Sequence, residues 1–132
     1  MNKKIPIKTE SDLLFARQTA KEIMKELGFG SADQTRMATA ISELARNVLK
    51  YAGEGSCSIC EEQDEREMGI KVVVEDNGPG IGDIEQAMED GFTTGNGLGA
   101  GLPGARRLVN NFDIASEPGY TKITLEIKRA RK

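Results

Sequence analysis

The sequence predicts a single α+β domain, and three patterns carry that expectation. Residues 69–76 alternate strictly, with Ile70, Val72 and Val74 on one side and Lys71, Val73 and Glu75 on the other, as a half-buried strand requires. Two earlier stretches instead place apolar residues three and four apart, the period of an amphipathic helix. No internal repeat and no Pro/Gly/Ser-rich linker interrupts the 132 residues, a length that suits one hydrophobic core.

The elements follow in order. Residues 4–9 read as an opening strand. Ser11 is expected to cap a first helix, whose apolar positions Leu13, Ala16, Ala20, Ile23 and Leu27 step along one face until Gly28 stops it. Ser31 and Gln34 form a capping-box pattern that opens a second helix, running to about Ala52 and ending at Gly53. Residues 55–62 read as a strand, and 63–68 as a charged turn before the strand at 69–76. A long loop, 77–100, is expected to hold at most a short helix over 84–89. Loops of that length are often lids or binding loops. A helix follows over 101–110, with Pro103 tolerated only in its first turn. Residues 112–116 and 120–128 make a terminal hairpin turning at Glu117-Pro118-Gly119.

Composition excludes several chemistries. The chain has no histidine, so no Ser-His-Asp triad, Cys-His dyad, His-ligated zinc or phosphoacceptor histidine can be built from it. Lys+Arg 18 against Asp+Glu 21 leaves a formal net charge of −3, which argues against nucleic-acid binding. No apolar run approaches the ~20 residues of a membrane span, and the N-terminus carries no signal-peptide core. A cytoplasmic protein without a membrane partner is the expectation. Cys57 and Cys60 stand three apart on a strand, so their thiols should point to opposite faces. Met24, Met37, Met88, Phe15, Phe29 and Phe92 read as core or lid packing. Arg106 and Arg107 read as surface residues.

Three segments carry more specific chemistry. On a helical wheel of ~100° per residue, Glu43 and Asn47 form a polar stripe beside the core stripe of Met37, Ile41, Leu44 and Val48. That edge suits a carboxylate and an amide lining a cleft. It equally suits a solvated face on which Glu43 pairs with Arg46 or Lys50. Asp76-Asn77-Gly78-Pro79-Gly80 follows directly on a strand. An ionised Asp only accepts hydrogen bonds and so suits the exocyclic amine of adenine. Gly78 and Gly80 would let backbone approach a flat base, although the segment is also strong turn chemistry. Six of the fifteen glycines lie between Gly91 and Gly104. The run from Gly95 opens a helix, where freed amides and a helix start suit phosphate. Neither a dinucleotide fingerprint nor a Walker A loop fits its context, and a mobile glycine loop is the plain alternative.

The order of these pieces resembles the N, G1 and G2 boxes of the GHKL (Bergerat-fold) ATPases. Glu43-x-x-x-Asn47 lies on a helix, Asp76-x-Gly78-x-Gly80 follows a strand, and Gly97-x-Gly99-x-Gly101 precedes a helix. The match spans roughly residues 31–127. Ser42-Glu-Leu-Ala-Arg-Asn47, Glu75-Asp-Asn-Gly-Pro-Gly-Ile81 and Asp90-Gly-Phe-Thr-Thr through Gly97-Leu-Gly-Ala-Gly-Leu-Pro-Gly104 are similar to the anti-sigma-factor serine/threonine kinase family, on its stressosome-linked side. The resemblance implies a two-layer sandwich of a mixed β-sheet on helices, with ATP bound between the helices and a lid. It implies that Asn47 holds Mg²⁺, that Asp76 reads adenine, and that Gly78, Gly80 and Thr121 also contact the nucleotide. Gly97, Gly99 and Gly101 would wrap the phosphate chain, with Thr93, Thr94, Leu98, Ala100 and Leu102 as further nucleotide-binding residues, and Glu43 would orient or deprotonate the attacking hydroxyl. It further implies a kinase acting on Ser or Thr of STAS-domain scaffold or antagonist proteins in a partner-switching stress response. Once released, such a kinase acts on a downstream regulator such as a phosphatase. The alternative is an ATP-gated binding module that sequesters a partner and transfers little phosphate. Two departures stand out: Tyr51 occupies a place where many relatives carry histidine, and Tyr120 separates Gly119 from Thr121.

Overall fold

A computed structural model describes residues 2–80 and 101–131. Among these residues, five strands and three α-helices form two layers: β1 (Asn2–Ile7), α1 (Glu10–Glu26), α2 (Ser31–Asn47), β2 (Gly55–Gln63), β3 (Glu67–Asp76), α3 (Gly101–Arg107), β4 (Asn111–Glu117) and β5 (Tyr120–Ala130). The strand order is β1-β2-β3-β5-β4. The two-layer α+β fold is as expected, but the sheet is not mixed. All four described strand pairings are antiparallel.

One face of the sheet carries the core. Ile5, Ile7, Cys57, Ile59, Ile70, Val72, Val74, Ile123, Leu125 and Ile127 are buried on it, facing Leu13, Ala16, Ala20 and Ile23 of α1 and Met37, Ile41, Leu44 and Val48 of α2. The alternation in β3 and both helical stripes therefore bury as the apolar periodicity requires. α3 sets Leu102 and Ala105 into the same core and packs on α2. The opposite face carries Ser58, Lys71, Thr124, Glu126 and other half-buried polar residues, the solvated side of an antiparallel sheet. Cys57 is buried while Cys60 is half-exposed, and both are free thiols. Burial alone pushes the Cys57 thiol up to about 12.

The helix ends depart from expectation for identifiable reasons. Thr9, not Ser11, caps α1: its Oγ1 accepts from the Asp12 N–H at 3.2 Å, and Asp12 Oδ2 accepts from the Thr9 N–H at 3.1 Å. Asp12 closes this box where Glu or Gln is usual, which hid the Thr9-x-x-Asp12 pattern. At the other end Gly28 takes φ +82. Its N–H donates to the Lys25 carbonyl and that of Phe29 to the Met24 carbonyl, a Schellman ending that needs glycine. The expected Ser31/Gln34 box does not form. Gly30 is the N-cap with no side-chain cap bond, and Gln34 Nε2 donates to the Phe29 carbonyl at 2.9 Å. Phe15, expected in the core or lid, is 61% exposed, because Leu13 and Ala16 on either side of it hold the buried stripe.

Arg129 fastens the α1–α2 connection to the sheet edge. Its Nε and Nη2 donate to the Leu27 carbonyl at 3.1 and 2.8 Å, and its guanidinium lies 5.8 Å from the centre of the Phe29 ring. These bonds satisfy a helix-end carbonyl that has no partner within α1. Arg129→Ala is expected to lower stability by about 1.5–3 kcal/mol, the range for hydrogen bonds to a charged group, with urea unfolding as the check. A loss below about 0.5 kcal/mol would mean that water replaces the guanidinium at little penalty.

Candidate functional site

The expected site residues within the described part lie where α2 and β3 end and β5 begins. α2 does not run to Ala52 as an α-helix. Its last turn, Val48–Ala52, is π-helical, and Gly53 ends it at φ +86. Turns of this kind recur at functional sites because they re-aim a helix end. Here the turn carries Ala52 onto the loop after β3: a Cβ on Gly78 would lie 2.7 Å from the Ala52 Cβ. Gly55, at the start of β2, allows an equally close approach. A Cβ there would meet Val48 Cγ1 at 2.8 Å and Asp76 Cβ at 3.2 Å. Val48 follows Asn47 directly, so this contact joins the end of α2 to the end of β3.

Asp76 is the last residue of β3 and is half-buried. Its Oδ1 accepts from the Gly78 N–H at 2.9 Å, which folds the loop back over the strand end. An ionised carboxylate has about four acceptor positions, so Oδ2 keeps acceptor capacity. Directly opposite on β5 stands Thr121, 5% exposed. Gly80 has φ +83, and a Cβ on it would lie 2.3 Å from the Glu117 carbonyl oxygen. The glycines at 78 and 80 thus serve close packing of the loop on α2 and on the β4–β5 hairpin.

Glu43 and Asn47 lie half-buried at the edge of the α2 core stripe. Arg46 Nη1 donates to Glu43 Oε1 at 3.4 Å, the surface pairing that the wheel left open. The contact is long and Arg46 is 55% exposed, as in a weak surface ion pair. Leu102 is buried and Gly101 opens α3. Thr93, Thr94, Gly97, Leu98, Gly99 and Ala100 lie outside the described residues, as do Met88 and Phe92. Arg106 and Arg107 are exposed, as expected.

The two departures from the family pattern are placed differently. Tyr51 sits on the π-helical turn, 54% exposed, with Lys50 Nζ 5.2 Å from its ring centre. The Tyr120 hydroxyl donates to Glu75 Oε2 at 2.5 Å on the outer face of the sheet, and that carboxylate raises the phenol's pKa. This bond ties β3 to β5 one residue away from Asp76 and Thr121. Gly55, Ala52 and Ser116 were not singled out from sequence. Ser116 lies opposite Thr121 on β4, with their hydroxyl oxygens 2.8 Å apart. The expected turn over Glu117-Pro118-Gly119 would have set Ser116 against Tyr120; β4 instead runs on to Glu117, which pairs with Tyr120 and moves the register by one.

A hollow of about 450 Å³ lies at the far end of the sheet, lined by Glu61, Glu62, Asp64, Glu67 and Lys128 among others. Its acidic wall is ill suited to a triphosphate, and Asp76 stands at the other end of β3. Among the described residues no helix is long and apolar enough to cross a membrane.

Comparison with known proteins shows the family. The family model described as histidine kinase-, DNA gyrase B-, and HSP90-like ATPase matches residues 32–131. The serine/threonine-protein kinase RsbT of Bacillus subtilis is 52% identical over 115 residues, covering 87% of this chain and 86% of that protein. An anti-sigma F factor of Clostridium acetobutylicum is 32% identical over 137 residues, covering 98% of this chain and 94% of that one. A crystal structure of the RsbU and RsbW domains of Rv1364c from Mycobacterium tuberculosis shares the fold, with a TM-score of 0.66 at 19% identity. This chain covers 33% of that one. With all three boxes in order and a family model matching most of its length, the chain belongs to the histidine kinase-, DNA gyrase B- and HSP90-like (GHKL) ATPases, in their branch of serine/threonine kinases and anti-sigma factors.

Proposed function

We propose that this chain is one cytoplasmic domain that transfers phosphate from ATP to a serine or threonine of STAS-domain scaffold or antagonist proteins. Transfer alters what those proteins hold, and the kinase then acts on a downstream regulator such as a phosphatase. The observation that carries the reading is the joining of the Glu43/Asn47 edge of α2 to the Asp76 end of β3 through Val48 and Gly55. The 52% identity to a serine/threonine-protein kinase supports it.

Each residue has a role that its chemistry permits. Asp76 accepts a hydrogen bond from the amine of adenine, with Thr121 beside it and the Gly78–Gly80 backbone against the base. Glycine amides of the 93–102 segment enclose the phosphates. The Asn47 side-chain oxygen suits Mg²⁺, a hard cation usually bound by one or two side-chain oxygens together with phosphate and water. When bound, the cation supplies neutralisation of phosphate charge. Glu43, one helical turn before Asn47, orients the substrate hydroxyl and accepts its proton. No histidine enters the scheme, as the composition requires. A second reading, an ATP-gated module that binds a partner with little transfer, draws on the likeness to anti-sigma F factors.

Two substitutions test these roles, and the first also separates the two readings. Glu43→Gln is expected to lower phosphotransfer to a STAS-domain substrate by roughly 100-fold or more, while ATP affinity stays within about threefold. Intact-mass detection of the added phosphate, beside calorimetric titration with Mg-ATP, measures both. Partner binding without transfer in the unsubstituted chain would instead favour the gated module. Asp76→Asn places a donor against the amine and is expected to weaken ATP binding by about 1–3 kcal/mol, roughly 5- to 150-fold in Kd. An unchanged Kd would remove Asp76 from adenine recognition.

A further inference from the structure

The geometry points to Ser116 as a positioning residue of the purine pocket, one that fixes the Thr121 hydroxyl as an acceptor for an amino group. The inference rests on the reading of Asp76 and Thr121 as the base-binding pair and adds a residue to it. Asp76 on β3, Thr121 on β5 and Ser116 on β4 are successive partners across three adjacent strands. They form one polar row on the helix-facing side of the sheet, at the end where β3 gives way to the glycine loop. Directly opposed side chains of this kind have Cβ atoms about 4.5–5.5 Å apart. Gly80 of that loop closes over the row: a Cβ there would approach Ser116 Oγ to 3.3 Å.

Hydroxyl protons set the polarity of the row. Ser116 Oγ lies 2.8 Å from Thr121 Oγ1 and 3.3 Å from the Tyr120 carbonyl oxygen. A serine hydroxyl has one proton. Both contacts are made together only if Ser116 donates to the Tyr120 carbonyl and Thr121 donates to Ser116. Thr121 then has no proton left for a ligand and presents lone pairs. Its neighbour Asp76, when ionised, is acceptor-only as well. Two adjacent acceptors match an exocyclic amine, which carries two N–H donors. With Ser116 truncated, the Thr121 proton is free to turn to the Asp76 carboxylate opposite, where it competes with the amine for the same lone pairs.

The test is a chemical-mutant cycle. Affinities for ATP and for purine ribonucleoside triphosphate, which lacks the 6-amine, are measured with Mg²⁺ by titration calorimetry on the whole chain. The unsubstituted chain, Ser116→Ala, Ser116→Thr and Asp76→Asn are compared, with thermal midpoints confirming that each is folded. Ser116→Ala is expected to narrow the preference for ATP over the desamino analogue by about fivefold or more, leaving affinity for the analogue unchanged. Ser116→Thr, which restores a hydroxyl, is expected to keep the preference. A purely structural role would weaken both ligands equally and leave the ratio alone. If Asp76→Asn narrows the ratio and Ser116→Ala does not, the role of Ser116 is overturned while the base-binding pair stands. If neither changes it, the base-binding reading itself fails.

Discussion

The antiparallel pairing of β3 with β5 is the constraint on which the site depends. Its register sets Asp76 against Thr121 at one end and Met68 against Arg129 at the other. A slip of β3 by one residue against β5 would turn Ile70, Val72 and Val74 out of the core and send Asp76 to the solvated face. Apolar burial along the strand therefore enforces the placement of the carboxylate at its end. The Tyr120–Glu75 bond on the outer face adds a polar lock beside it.

From that fixed strand end, glycines bring the other elements close. Gly55 lets β2 press on Val48, Gly78 accepts Ala52 of the π-helical turn, and Gly80 meets the carbonyl of Glu117. A side chain at any of the three would meet a neighbour below the normal contact distance. The π-helical turn completes the arrangement by carrying the end of α2 onto the loop. Site geometry and core packing thus share residues: Val48 and Leu44 are buried within a few positions of Glu43 and Asn47.

Much of this was legible in the sequence, because burial enforces periodicity. The alternation of Ile70, Val72 and Val74 and the stripe of Met37, Ile41, Leu44 and Val48 appear as read, and so does the terminal hairpin, though its turn is one residue tighter than Glu117-Pro118-Gly119. Gly28 and Gly53, read as helix stops, both take positive φ. What escaped was local competition between near-equivalent groups. Thr9 displaces Ser11 as cap because Asp12 can return its bond. Ser31 loses its capping role because Gln34 turns to the Phe29 carbonyl instead. The π-helical turn keeps a helical apolar pattern and so gives no signal of its own. Ser116 escaped because the turn is one residue tighter than read, so that Glu117 pairs with Tyr120 and Ser116 with Thr121. Phe15 escaped because an aromatic residue on an amphipathic helix is read as buried by default, and 61% of it is exposed.

The central claim is that nucleotide binds across the ends of α2, β3 and β5. Amide hydrogen exchange with and without a saturating non-hydrolysable ATP analogue and Mg²⁺ tests it most directly. Slower exchange is expected in peptides spanning residues 47–55, 74–80 and 114–122, with little change across the outer-face hollow at 61–69. Saturation with protection confined to that hollow, or with none at the three strand and helix ends, would contradict the placement of the site.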